Sequence, residues 1–543
     1  MQEPNAPRAD HLIGVDVGTA SARAGVFDTD GRLKGTDKAD ITVHRAPDGR
    51  IEQSSAEIWA AVCAAVRGAV AAAGVAPARI GGLGFDATCS LVVLGEGGTS
   101  LPVGDPDRPD RDVIVWMDHR ALDQAARINA TGHAVLDYVG GRISPEMQTP
   151  KLLWLQENRP DIFARAWQFF DMTDWLGWRA TGSCARSTCT ITCKWTYLAH
   201  EGRWDAGYFH QIGLGSLADE GFARIGTDIV APGTPLGGGL DDRAAEELGL
   251  PTGIAVGAGL IDAHAGGIGT VGAEGGGGAE ANLAYVFGTS SCTMATTAQP
   301  VFVPGVWGPY WSAMVPGAWL NEGGQSAAGA AIDQLVRFHP HAAEAGRTAR
   351  AEGQSLPQWL AARCAERADG SEALCALVAG RHVVPEVLGN RAPHADPHSR
   401  AAILGLGMAD GLDDLLSLYA AAMCGLGYGL RQIVEAQAER GIRLDRIVLS
   451  GGAGRSAFVR QLLADTAGLE VAVPETEEPV LLGSAMLGAV AGGAHADIGT
   501  AMRAMSRLRE SHLPATGEAA ARHRDRYDIF ERVQAAGRAA AGC

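Results

Sequence analysis

Twice along this chain a short apolar run stops abruptly in a turn of glycine and hydroxyl residues. Residues 12–17 run into Gly18-Thr-Ala-Ser21, and residues 281–287 run into Gly288-Thr-Ser-Ser291. Runs of that length and content read as buried strands, and such turns leave backbone N–H groups uncovered, which suits phosphate oxygens. After the first turn a second strand follows at once over residues 22–27, and Asp30-Gly31 bends the chain toward a third. This is a meander with a polar tip, unlike the strand-turn-helix of a dinucleotide site. No G-x-x-x-x-G-K-[ST] run is present, so a P-loop is excluded as the source of phosphate chemistry. One scheme opening each half predicts an α/β protein of two similarly built domains.

A chain of 543 residues is too long for one ordinary core. The pattern divides it into residues 1–255, residues 256–500 and a charged terminal helix pair over 501–543. Further strands are predicted at 80–85, 113–116, 307–314, 318–321 and 443–449, and helices at 56–76, 324–338 and 411–439. The net charge of −17 argues against a nucleic-acid partner. The polar start, residues 1–10, lacks the apolar core of a signal peptide. The alanine-rich stretch 58–75 is broken by Arg67, Gly68 and Gly74 and reads as a buried helix, not a membrane span. The cytoplasm is therefore the expected location. Ten scattered cysteines agree with a reducing compartment; Cys184, Cys189 and Cys193 lack the paired spacing of a zinc site and read as reduced thiols.

Asp262 ends an apolar run and is ringed by small residues, in Gly257-Ala-Gly-Leu-Ile-Asp-Ala-His-Ala-Gly266. Small neighbours let a ligand come close and leave the carboxylate free to take a proton. The same aspartate also suits a helix N-cap. Only four lysines occur, at 34, 38, 151 and 194, so each that persists hints at a role arginine cannot fill. Lys194 also reads as a surface charge, Glu322 as the cap of a helix starting near Gly324, Asp86 as a turn cap, Trp116 as a packed strand end and His264 as structural.

In order, Gly14-Val-Asp-Val-Gly-Thr19, the Asp262 segment, Phe287-Gly-Thr-Ser290 and Ser450-Gly-Gly-Ala-Gly454 resemble the actin-like ATPases and, among them, the FGGY family of carbohydrate kinases. The likeness spans about residues 11–497, although the family's first signature is present only in its second part, Lys151-Leu-Leu-Trp-Leu-Gln-Glu-Asn158. It implies two actin-like, ribonuclease H-like domains with a cleft between them. Thr88-Cys-Ser-Leu-Val92 is similar to the motif that marks D-ribulokinases. Asn321-Glu-Gly-Gly-Gln-Ser326 and Cys193-Lys-Trp195 resemble a ribulokinase-like pattern in which a glutamate and a lysine face the sugar.

By that resemblance Asp262 is the general base, and Asp16 and Asp262 hold Mg2+. Gly18, Thr19, Gly288, Thr289 and Ser290 contact phosphate, and Gly451, Gly452 and Gly454 flank the adenosine. Asp86, Thr88, Cys89, Ser90, Lys194 and Glu322 join Asp262 on the sugar side. The implied reaction moves the terminal phosphoryl of ATP to D-ribulose. Another pentulose or polyol (L-ribulose, xylulose, ribitol) is the alternative, and a non-kinase actin-like ATPase a remoter one. The implied partners are the sugar and ATP, with no nucleic acid or membrane, and a homodimer is a family-level expectation.

Overall fold

The computed structural model describes residues 9–273 and 275–541. Residues 1–8, where no signal peptide is expected, and residues 542–543 of the tail lie outside them. Strands β1 (His11–Val17), β2 (Ser21–Asp28) and β3 (Leu33–Asp40) form the expected antiparallel meander. β4 (Ile80–Ala87) lies parallel to β1, and β5 (Ala255–Ile261) parallel to β4. The first sheet therefore runs β5-β4-β1-β2-β3.

The second sheet repeats this plan. β6 (Asn282–Phe287), β7 (Ser291–Thr297) and, beyond the edge strand β8 (Trp307–Trp311), β9 (Trp319–Gln325) are antiparallel. β10 (Arg446–Ser450) and β11 (Glu470–Pro474) continue in parallel on the other side of β6. β12 (Leu508–His512) closes the far edge, giving β8-β9-β7-β6-β10-β11-β12. Three antiparallel strands followed by two parallel ones, in the same spatial order twice, is the duplicated actin-like architecture expected.

Four expectations need correction. β5 was assigned to the second domain, but its backbone bonds to β4 put it in the first sheet. The tail's two helices, Ile498–Met505 and Gly517–Ala541, are separated by a strand that was not expected, β12, which pairs with β11. The strand at 113–116 shortens to Val113–Ile114. The helix foreseen from 324 starts at Gly329, so Glu322 sits within β9 and caps nothing.

Helix α1 (Ser55–Ala73) starts where the Ser54 side chain accepts from the Glu57 N–H. It is long and apolar enough to cross a membrane by length and composition. Its Ile58, Val62, Ala65, Val66 and Ala69, at one-turn spacings, are buried in the core beneath the first sheet.

What positions the site is a pair of crossed helices. α2 (Thr188–Trp195) flanks them; α3 (Asp262–Val271) leaves β5 directly, and α4 (Pro479–Ala491) follows β11. α3 reaches across to β6 and β10 of the second sheet, whereas α4 lies on β1, β4 and β5 of the first. Glycines make this contact possible. A Cβ on Gly14 would stand 2.0 Å from the Leu481 carbonyl, and one on Gly84 2.0 Å from that of Ser484. Gly483 brings α4 onto α3, where a Cβ would be 1.9 Å from the Ala265 carbonyl. Backbone meets backbone at these points, and any larger residue would pry the helix off the sheet.

Candidate active site

Three carboxylates meet at the ends of the parallel strands. Asp16 of β1 is in register with Asp86 of β4, and Leu260 of β5 is in register with the same Asp86, two residues before Asp262. Asp262 is the first residue of α3 and half-buried, and among the described residues its Oδ1 accepts only the Ala263 N–H, at 2.7 Å. Burial, then the charge of Asp16, pushes its carboxyl up to about 6. That value suits a group that must be ionised at neutral pH yet still take a proton.

Asp16 is buried and gives its Oδ2 to Arg23, which also holds Glu478 at 2.8 Å. Asp86 has no solvent exposure; its Oδ2 accepts from Ser484 of α4, and its Oδ1 has no hydrogen-bond partner among the described residues. Burial and the neighbouring Asp16 hold the Asp86 carboxyl well above the usual carboxylate range. The sugar contact foreseen for Asp86 is therefore not what the structure gives: it faces carboxylates and α4, with no surface open to a ligand.

Lys194, at the end of α2, is buried, and its ammonium makes no hydrogen bond or ion pair among the described residues. It stands 5.0 Å above the Trp307 ring, with Arg391 5.5 Å from the same ring. Burial lowers the Lys194 ammonium's hold on its proton, but the charge of Glu322 more than reverses this and keeps it cationic. Glu322 is likewise buried; its Oε2 is 3.3 Å from His264 Nε2. Burial raises the Glu322 carboxyl, but Lys194, His264 and Arg391 outweigh that and hold it at about 2. His264 is pulled down by burial and up, more strongly, by Cys189 and Glu322, to about 10. Two charges of opposite sign thus lie close to Asp262, whose carboxyl feels that of Lys194.

The Thr88–Ser90 segment divides. Cys89 is half-buried, with burial pushing its thiol up to about 12, and Lys194 and Asp262 both act on it electrostatically. Ser90 is wholly buried: its Oγ accepts the Trp116 N–H at 3.1 Å and lies 3.3 Å from Thr88 Oγ1. Ser90 and Thr88 therefore fasten the strand end, and of the three only Cys89 keeps partial exposure.

The two glycine-hydroxyl turns close on themselves. The Gly18 N–H donates to the Ser21 carbonyl and the Gly288 N–H to that of Ser290, so neither is free for phosphate as expected. Thr19 Oγ1 accepts the Trp116 indole N–H at 3.0 Å. Thr289 is exposed, and neither its hydroxyl nor that of Ser290 is hydrogen-bonded among the described residues, which leaves both for a ligand. Across the second domain a crevice of about 190 Å³ is lined by Gly451, Gly452, Gly454, Arg455, Pro474 and Arg23, among others. At Gly451 (φ 92°) a side chain would meet the Phe287 carbonyl at 2.2 Å, which ties this loop to the end of β6. Because Arg23 lines that crevice and bonds Asp16, the glycine loop and the carboxylate cluster are contiguous.

Sequence reading missed Trp307, Arg391 and Gln148. Gln148 donates to the Cys89 carbonyl at 2.9 Å and to Asp171 at 3.0 Å, fixing the segment from behind. None carried a local signal, because each reaches the site from a distant element. Lys151, the other scarce lysine of this region, is spent on the Val115 and Trp116 carbonyls at 3.2 Å. Asp118 and Arg120 pair with each other, Asp118 accepting the Ile51 N–H and Arg120 donating to Glu52.

The sequence models of the N-terminal and C-terminal domains of the FGGY family of carbohydrate kinases match residues 11–269 and 283–492. This chain belongs to the FGGY carbohydrate kinases. It is 44% identical over 532 residues to an FGGY carbohydrate kinase domain-containing protein of Danio rerio, covering 96% of this chain and 97% of the relative. A D-ribulokinase of Saccharomyces cerevisiae is 37% identical over 90% of this chain and 73% of its own length. A ligand-bound xylulose kinase from Lactobacillus acidophilus superposes with a TM-score of 0.80, at 18% identity, over 98% of this chain and 99% of that one. This FGGY chain thus shares the whole two-domain fold with solved sugar kinases, and the first family model ends within α3, beyond β5, as the sheet topology does.

Proposed function

We propose that this carbohydrate kinase transfers the terminal phosphoryl group of ATP to a primary hydroxyl of D-ribulose. The observation that carries the reading is the Lys194 ammonium, buried and without a hydrogen bond or ion pair among the described residues, in the field of the ionised Glu322 and close to the half-buried Asp262. Buried N–H donors left without acceptors are costly unless a ligand completes them. The hydroxyl-rich sugar supplies what is missing, accepting from Lys194 and donating to Glu322.

Asp262 takes the proton of the attacking hydroxyl late in transfer, since an alcohol is too weak an acid to ionise unaided. Asp16 and Asp262, at the ends of neighbouring strands, provide oxygen-only donors of the kind that Mg2+ prefers. When bound, Mg2+ supplies charge neutralisation at the phosphate oxygens. Arg23 holds Asp16 from the crevice side, and the hydroxyls of Thr289 and Ser290 are available to the phosphates. The two domains close over both substrates and exclude water, which would otherwise compete with the sugar as acceptor.

The choice of D-ribulose is supported by the Thr88-Cys-Ser-Leu-Val92 segment and by the identity to a protein named D-ribulokinase. The test is a coupled assay of ADP release across D-ribulose, L-ribulose, D-xylulose and ribitol. The highest kcat/KM is expected for D-ribulose; a clear preference for any other acceptor overturns the assignment.

A further inference from the structure

Behind the sugar-facing charges lies a cluster that phosphoryl transfer does not use. Cys189 and Cys193 stand one turn apart on α2 and so project to the same side of it. His264, on the first turn of α3, meets them: its Nδ1 is 3.0 Å from Cys189 Sγ. One ligand atom from each residue lies within 4.8 Å of the other two, and all three residues are buried. The sequence spacing of the cysteines argues against a zinc finger, and rightly so, because the third donor comes from 75 residues away in the chain.

We propose that Cys189, Cys193 and His264 form a binding site for a thiophilic divalent cation of the Zn2+ class. Three arguments converge. Two sulfurs and one imidazole nitrogen match the donor preference of such ions, which favour tetrahedral sites built from thiolate and imidazole. The second ring nitrogen of His264 faces the Glu322 carboxylate at 3.3 Å. This carboxylate–histidine arrangement orients the ring so that Nδ1 faces the sulfurs. Finally, all three residues are buried, so an ion held by them is shielded from competing water. Three protein donors leave the fourth tetrahedral position to a non-protein ligand. The site adjoins the sugar pocket through Lys194, next to Cys193, and through Glu322.

The experiment uses the full-length protein, reduced and freed of metal, and Cd2+ as the probe. Expected are an ultraviolet thiolate-to-metal charge-transfer band saturating at one ion per chain, release of two protons per ion, and competition by Zn2+. Cys189→Ser and Cys193→Ser should each weaken binding by more than the roughly 10–100-fold typical of losing an outer-shell partner. Cys184→Ser, at an exposed cysteine, should leave binding unchanged. Should the buried variants fail to fold, X-ray absorption on Zn2+-loaded wild-type protein decides, with two sulfur and one nitrogen scatterers from the protein expected. Absence of the band, its persistence in a folded Cys189→Ser/Cys193→Ser double variant, or a shell lacking two sulfurs would overturn the site.

Discussion

Replacing Asp262 by asparagine separates what this residue does for catalysis from what it costs the fold. Asparagine keeps the shape and can still accept the Ala263 N–H, so α3 should begin as before. It cannot take a proton from an alcohol. Turnover should fall by roughly 10²–10⁴, equivalent to about 3–5 kcal/mol of transition-state stabilisation. Stability should move the other way. The folded carboxyl sits at about 6 against an ordinary 3.8, so the folded state binds the proton more tightly than the unfolded chain. Above about pH 6 both states are ionised, and the native state then carries the full penalty of a buried carboxylate beside Asp16, about 3 kcal/mol. That penalty fades as the pH falls toward 4, where the folded group is protonated. The neutral amide removes it at all pH values. Thermal unfolding without ligands should therefore show Asp262→Asn at least as stable as wild type at pH 7.5, with the advantage shrinking toward pH 4. A variant keeping more than about a third of wild-type turnover would refute the proton-acceptor role. One that is less stable at pH 7.5 would refute the electrostatic account.

Wild-type kcat/KM should drop about tenfold per pH step below about 6, as Asp262 becomes protonated; a profile flat to pH 5 would assign the proton to another group. Lys194→Met should raise KM for the sugar by an amount worth about 1–3 kcal/mol and leave that for ATP nearly unchanged, because only the sugar loses its donor; equal effects on both substrates would make the residue structural. Asp16→Ala should abolish most magnesium-dependent turnover while sugar binding without nucleotide, followed calorimetrically, stays intact. Gly14→Ala, whose Cβ would lie 2.0 Å from the Leu481 carbonyl, should destabilise by about 1–3 kcal/mol or more, seen as a lower Tm. Ser90→Ala should also lower Tm, by removing the acceptor of the buried Trp116 N–H, and should leave the ratio of kcat/KM between ketopentoses unchanged.

Much of the architecture was legible in the sequence because its signals are local. A strand ending in a glycine-hydroxyl turn is specified by adjacent residues, and its recurrence near residues 18 and 288 announced the duplicated fold. Asp262, Lys194 and Glu322 could be named from short segments for the same reason. Sheet membership was not legible, since a strand's partner is fixed by backbone pairing across long stretches of chain: β5 reads like the start of a new domain and hydrogen-bonds in the old one. Burial also reassigned residues of one motif to different tasks. Ser90 and Asp86 look as exposed in sequence as Cys89, yet α4 and the Trp116 backbone close over them. The cluster of Cys189, Cys193 and His264 belongs entirely to the tertiary structure. Its cysteines are spaced by one helical turn and its histidine follows the catalytic strand, and no local pattern joins them. Only the packing of α2 against the start of α3 brings their donor atoms within reach, because long-range side-chain convergence depends on where whole elements settle.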